Sequence, residues 1–328
     1  MVGSNEGGQV RPPRSVRVLA ALFAAGALFC CSSTTIVNST PPGDADGGTT
    51  DEDGGGTTED GGGGLSCPTA GKATVAGTID TAEADETSGI VASTKNEGIF
   101  WIHNDSGDVA RTFAITKSGH LVATLNFDTV KPQDIEDIEI DDTGDKPYLY
   151  LADMGDNAES RTDHVIHRVE EPKLGTETAL TTTSDKMTVR YPDGPHNAET
   201  LLFDPISKDI FIATKKPGGP SYIHRVGPFE AGKTVTTEKV ATVTVDTATG
   251  GDISRDGHYI VIRNYSKSAF LWLRNDGESV ADALARDPCT IPIAAETQGE
   301  AFAFMPDGKA FVTTSEGLMQ DLHLTPFE

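Results

Sequence analysis

Positive charge is what this sequence is short of. Across 328 residues, 26 Lys and Arg stand against 50 Asp and Glu, a formal net charge of −24. That balance argues against nucleic-acid backbones and anionic membrane surfaces as partners. Long apolar runs are also missing: the stretch at 18–29 is too short to cross a bilayer. Cysteines number four, and neither they nor the histidines cluster with metal-ligand spacing, which disfavours zinc. No G-x-S-x-G elbow, H-E-x-x-H helix or phosphate-binding P-loop occurs, so serine-hydrolase, zincin and nucleoside-triphosphatase chemistry lose their usual anchors.

What is present divides into three parts. In residues 1–31, Arg11, Arg14 and Arg17 precede the apolar run, the layout of an export signal. Cys30 and Cys31 follow that run, and the pattern resembles the lipobox of bacterial lipoproteins. The resemblance implies acylation at one of the two and a place in the bacterial cell envelope, on the periplasmic or surface face. Residues 32–66 are Gly, Asp, Glu and Thr with almost nothing apolar; such a stretch cannot offset its chain entropy and reads as an acidic tether. As Gly-rich coil it would span on the order of 30–35 Å, and more through self-repulsion. Residues 67–328 read as one all-β domain. Cys67 and Cys289 remain once the signal cysteines are set aside, and in an exported protein they are expected to pair.

The domain is organised by a repeated unit, clearest at Gln298-Gly299-Glu300-Ala301-Phe302 through Ser315-Glu316: polar start, short strand, Asp-Gly turn, second strand, polar exit. Superimposing five copies puts Ser88, Glu136, Glu199, Gly251 and Glu300 in register, at steps of 48, 63, 52 and 49 residues, which are propeller-blade periods. Alternating apolar positions place third strands at 111–115, 165–169, 222–226, 269–273 and 322–325, and fourth strands at 121–127, 187–191, 240–245 and 289–293. The last repeat stops without a fourth strand. An orphan strand near Val75 fills that vacancy, so the expected fold is a five-bladed β-propeller of four antiparallel strands per blade, closed by an N-terminal strand. A β-sandwich would not explain one missing strand.

In such a blade, the start of strand one and the end of strand two share a face. Glu136, Glu199 and Glu300 at equivalent positions around a narrow axis cannot all stay ionised without a compensating positive charge. A hard cation held with the Ser88 hydroxyl and a carbonyl near Gly251 forms an all-oxygen shell that suits Ca²⁺. The competing reading pairs each glutamate with Lys215, Arg263 or backbone amides.

These residues carry a resemblance. Thr87-Ser88-Gly89, Glu136, Ala198-Glu199-Thr200, Gly250-Gly251 and Gly299-Glu300-Ala301 are similar to the blade starts of calcium-activated nucleotidases (apyrases), five-bladed propellers that hold Ca²⁺ on the axis with Ser and Glu. Gly251 stands where that family has Ser. Asp153-Met154-Gly155-Asp156-Asn157 and Gln298-Gly299-Glu300-Ala301-Phe302 also resemble exported propellers related to phytase-like esterases. Two functions follow as expectations. One is a Ca²⁺-dependent hydrolase of a phosphate ester, anhydride or ester, with Arg161, Lys215 and Arg263 offsetting the charge of a small anionic substrate and Asp105, Asp153 or His196 activating water. A glycosidase variant would use two axial carboxylates as acid and base. The other is a binding propeller that docks an envelope component and keeps the ion as structure.

Overall fold

The computed structural model describes residues 65–128 and 130–328. The segment read as an export signal, Cys30, Cys31 and nearly all of the segment read as a tether lie outside the described residues. Strand β1 (Thr74–Thr78) precedes five blades. The first runs β2 (Thr87–Ala92), β3 (Ile99–Asn104), β4 (Arg111–Thr116) and β5 (Leu121–Phe127); the second β6 (Ile135–Asp141), β7 (Tyr148–Asp153), β8 (His164–Glu170) and, after β9 (Ala179–Thr182), β10 (Asp185–Arg190). The third holds β11 (Ala198–Phe203), β12 (Ile210–Thr214), β13 (Ser221–Gly227) and, after β14 (Thr234–Thr236), β15 (Glu238–Val243). The fourth holds β16 (Gly250–Ile253), β17 (Tyr259–Arg263), β18 (Ser268–Leu273), the short helix α1 (Val280–Leu284) and β19 (Cys289–Pro292). In the fifth, β20 (Gly299–Phe304), β21 (Ala310–Ser315) and β22 (Asp321–Pro326) are completed by β1, antiparallel to β22 through Thr74↔Leu324 and Thr78↔Asp321.

The fold is therefore the expected five-bladed propeller, with the orphan strand in the expected vacancy. Two additions were not legible in the sequence pattern. β9 and β14 lie between the third and fourth strands of their blades, and each pairs in parallel with the outer strand of the preceding blade, β5 and β10 respectively. Helix α1 starts on Ser279, whose side chain accepts from the Asp282 amide, and buries Val280, Ala283 and Leu284.

Burial explains the arrangement. The inner strands β2, β11, β16 and β20 are buried at every residue, because each is packed on both faces by neighbouring blades; outer strands such as β10 and β15 show exposed positions. The five inner strands touch in sequence around the ring, with β20 returning to β2. Apolar clusters fill the wedges between blades, for example Trp101, Ile138 and Leu151 between the first and second.

Cys67 and Cys289 are joined through their sulfurs, with Cα atoms 5.9 Å apart. The bridge ties the segment leading into β1, the outer strand of the fifth blade, to the outer strand of the fourth blade. Cys289→Ser is expected to cost about 2–5 kcal/mol in denaturant melts, since the link closes a loop of 222 residues. Deleting residues 67–80 is expected to leave β22 as an open edge and give an aggregating product. A soluble deletion variant that unfolds cooperatively would contradict this account of closure.

Candidate metal centre

The axial face is built by a backbone irregularity repeated in four blades. Along β2, β6, β11 and β20 the pairing to the second strand skips one residue: Thr87 and Gly89 pair, Ile135 and Asp137 pair, Ala198 and Thr200 pair, Gly299 and Ala301 pair. The skipped residues are Ser88, Glu136, Glu199 and Glu300. A bulge releases a residue from the ladder and re-aims its side chain, and here it brings three glutamates together in the interior of the ring. The fourth blade has no bulge. Gly250 pairs with Arg263 and Gly251 with Ile262, which makes Gly251 the equivalent of Gly89, Asp137, Thr200 and Ala301. The expected register of Gly251 with the glutamates is thus off by one residue. A side chain there would run into the Val261 carbonyl, Thr200 and Leu202, so this position packs against the third blade.

Among the described residues, one group of acids has ligand atoms close enough to share an ion: Asp105, Asp134 and Glu136 offer oxygens all within 4.8 Å of one another. Glu136 is 2 % exposed, while Asp105 and Asp134 are half-buried and form the mouth of the centre. Glu199, Glu300 and Glu316 extend the acidic wall. Burial, then the charge of Glu199, pushes the Glu136 carboxyl well above its usual range. Burial and the Asp134 charge lift Asp105 to about 8. Burial raises Glu199 to about 7, against the opposing pull of Lys215; burial and the Glu300 charge raise Glu316 to about 9.

Two cations border the wall. Lys215 pairs with Glu199 and reaches the Tyr265 hydroxyl at 2.8 Å, and Tyr265 donates to Glu300 Oε1 at 2.7 Å. Arg161 donates to the Gly155 carbonyl at 2.7 Å and to Asp153 Oδ1 at 2.9 Å. Gly155 belongs here for want of a side chain, since a Cβ would overlap Glu136 Oε1 and Asp134 Oδ2. The donor set is all oxygen and negatively charged, which fits a hard cation such as Ca²⁺ better than a thiophilic or imidazole-seeking metal.

Other expected site residues lie elsewhere or are already engaged. The Ser88 hydroxyl donates to the Glu136 carbonyl at 2.6 Å, a stitch between the first two blades. Arg263 is 1 % exposed; it pairs with Glu296 at 2.8 Å and donates to the Ala301 carbonyl, so it does not stand over the acids to meet a substrate. The Asp153 carboxylate accepts from the Gln133 and Asp134 amides and from Arg161, which makes it a positioner of the Asp134 loop. His196 bonds Asp193 at 2.9 Å and packs on Tyr191, Tyr222 and His224, outside the acidic group. Asp134, Glu316 and Tyr265 were missed as members of the centre. Asp134 and Glu316 sit at the strand starts and exits that collect polar residues, but their convergence depends on loop paths the pattern does not encode.

The far end of the axial channel is closed differently. Arg255 reaches Asp142 at 3.1 Å and the Ala92 carbonyl at 3.2 Å, beside a water-sized cavity of about 20 Å³ lined by Glu139 and Asp252.

No family model matches the sequence, and no curated protein matches it. Among solved structures, a gluconolactonase from Xanthomonas campestris aligns over 80 % of this chain and 100 % of its own, with 10 % identity and a TM-score of 0.46. A likeness that distant says nothing about ligands or activity.

The raised carboxyls give a pH dependence with a definite sign. For Asp105, Glu199 and Glu316 the folded-state pKa lies above the ordinary value near 4, so the folded state holds the proton more tightly than the unfolded. Stability is fully present below about pH 4 at these sites and is lost as pH rises toward about 7–9. In chelator, the melting temperature should fall between about pH 5 and 9, and Glu316→Gln should flatten the fall. A flat or rising profile in chelator would show that the acids are compensated within the fold.

Proposed function

We propose that this chain is an exported, lipid-anchored propeller that holds Ca²⁺ at the Asp105, Asp134 and Glu136 carboxylates and hydrolyses a small anionic phosphate ester, anhydride or ester. The observation that supports this most is the convergence of six acids, Asp105, Asp134, Glu136, Glu199, Glu300 and Glu316, on two bordering cations, leaving buried carboxyls held above their ordinary pKa. When bound, the ion would favour the ionised form of its three ligands, Asp105, Asp134 and Glu136, and would polarise a substrate oxygen or water. The chain's own groups divide the remaining tasks. Glu316, outside the ligand trio and hydrogen-bonded to Glu300, holds a proton near neutral pH and is suited to pass it to a leaving group. Lys215 and Arg161 offset substrate charge at the rim. The blade starts, which resemble those of calcium-activated nucleotidases, support an axial Ca²⁺ more than any one substrate. The arrangement of the N-terminal segment favours export and acylation at Cys30 or Cys31.

A second reading has its own support. Arg263, expected above the acids to meet an anion, is buried with Glu296. Fewer free cations suit a propeller whose ion is structural and whose face docks an envelope component.

Binding to the native state alone adds RT ln(1+[L]/Kd), about 2.7 kcal/mol at a hundred times Kd. Ca²⁺ should therefore raise the melting temperature of the chain, EDTA should reverse the rise, and Mg²⁺ should substitute poorly because it gives up water reluctantly. The Glu136→Gln/Glu199→Gln double variant should lose most of the shift, while Glu59→Gln in the tether should keep it. The same protein is assayed against nucleotides, phosphate monoesters, aryl esters and lactones with and without Ca²⁺. Calcium-dependent turnover supports the hydrolase. A calcium shift with no turnover across the panel favours the structural ion, and no shift in the parent refutes the centre.

A further inference from the structure

On the face opposite the acidic centre, where first strands end and second strands begin, four of the five blade junctions are closed by the chain's own side chains. Between the first and second blades, Glu171 accepts from the Ser93 hydroxyl and from Trp101 Nε1. Tyr150 packs with Phe203 and Phe229 between the second and third, and Arg274 pairs with Asp204 at 2.6 Å between the third and fourth. Tyr259 packs with Phe304 and Phe327 between the fourth and fifth. The junction of the fifth blade with the first differs. Among the described residues, no hydrogen bond, ion pair or ring contact joins the turn at 93–98 to the turn at 305–309. A cavity of about 460 Å³ stands there instead, within the range of about 300–1,000 Å³ typical of small-molecule sites.

Ile99, Phe100, Met305, Pro306, Ala310 and Leu324 give the cavity an apolar wall, continuous through Phe100 and Met305 with the core between the two blades. Inside the rim the polar groups of the lining are already bonded. The Ser93 and Thr94 hydroxyls donate to Glu171, Arg255 is held by Asp142 and the Ala92 carbonyl, and the Ser93 and Met305 amides close their turns on the Ile99 and Ala310 carbonyls. Such a wall offers no directed hydrogen bonds by which to recognise a sugar or a nucleotide. The rim sets Glu97 and Asp307, both exposed, against Lys117 and Lys309, also exposed, so its charges balance and select neither an anion nor a cation. We propose that this cavity binds a compact, uncharged, mainly apolar molecule, which closes the fifth junction as aromatic rings close two of the others. Water in such a space finds few partners, so an apolar occupant displaces it favourably. The site stands apart from the acidic centre and does not depend on the proposed hydrolase function.

The test is calorimetric titration of the full chain, in EDTA, with 1-octanol and with octanoate and octylammonium, which carry the same tail on a charged head. Saturable octanol binding at one site is expected, tighter than that of either charged counterpart. Met305→Asp, which sets a carboxylate in the apolar wall, should weaken octanol binding about tenfold. Lys309 is exposed, so Lys309→Glu should fold. By leaving the rim acidic, it should shift the preference several-fold from octanoate toward octylammonium. Melting each variant without ligand checks its fold, and if Met305→Asp unfolds, the Lys309→Glu arm decides alone. No saturable octanol binding, octanol affinity unchanged in a folded Met305→Asp, octanoate binding as tightly as octanol, or a head-group preference unmoved in Lys309→Glu would each overturn the proposal.

Discussion

The innermost strand of every blade is a sheet edge with no partner strand, and its buried carbonyls and amides have to be satisfied by other means. Side chains from the adjoining blade supply the bonds. The Ser88 hydroxyl donates to the Glu136 carbonyl, Asp137 accepts the Leu201 amide at 2.8 Å, Asp252 accepts the Phe304 amide at 2.7 Å, and the Thr249 hydroxyl reaches the Gly299 carbonyl at 3.1 Å. These stitches explain why strands buried on both faces, which would otherwise be continuously apolar, carry so many polar residues. They also set the position of the bulges, because a stitched edge fixes which residue is left outside the ladder and turned inward.

Burial alone does not make the acidic centre unusual. Glu171, Asp204 and Glu296 are also buried, and burial opposes their ionisation, yet hydrogen bonds from Ser93 and Trp101, from Arg274 and Ser207, and from His323, Arg263 and Thr313 outweigh it and hold their pKa values low. Each of the three ties one blade to another. Glu136 has neighbours of the same sign, and at Asp105 burial and the Asp134 charge outweigh the one amide it accepts, from Ser106, so both carboxyls move the other way. Asp137, Glu139 and Asp252 are raised as well; among the described residues, the group around Glu136 is the one whose carboxylate oxygens lie within 4.8 Å of one another, and that geometry is what supports a cation there.

The architecture was largely legible in the sequence, because a four-strand blade imposes period-two alternation and regular turns; the vacancy filled by the strand near Val75 followed from counting. The bulged positions Ser88, Glu136, Glu199 and Glu300 were legible as well, since each follows Thr, Ile, Ala or Gly at the same point of the repeat. Gly251 was misplaced because a missing bulge shortens the blade by one residue, and Gly250-Gly251 offers no side chain to mark the slip. The burial of Arg263 depends on Glu296, which belongs to the next repeat and carries no spacing signal of its own. The parallel strands β9 and β14 went unseen because three or four residues are too few to show a period. Helix α1 did leave a signal, Ser279 three residues before Asp282 with apolar residues at Val280, Ala283 and Leu284. The cavity between the turns at 93–98 and 305–309 joins segments far apart in the chain, so only the folded chain assembles it.

The central claim is that one cation compensates the axial acids. The direct measurement is an anomalous difference map from crystals grown with Ca²⁺ or a lanthanide substitute. The account predicts a single strong peak at the centre, about 2.3–2.6 Å from carboxylate oxygens of Glu136, Asp134 and Asp105 when the ion is calcium. A map with no peak there at saturating metal, with the acids bonded to one another as protonated pairs, would contradict it.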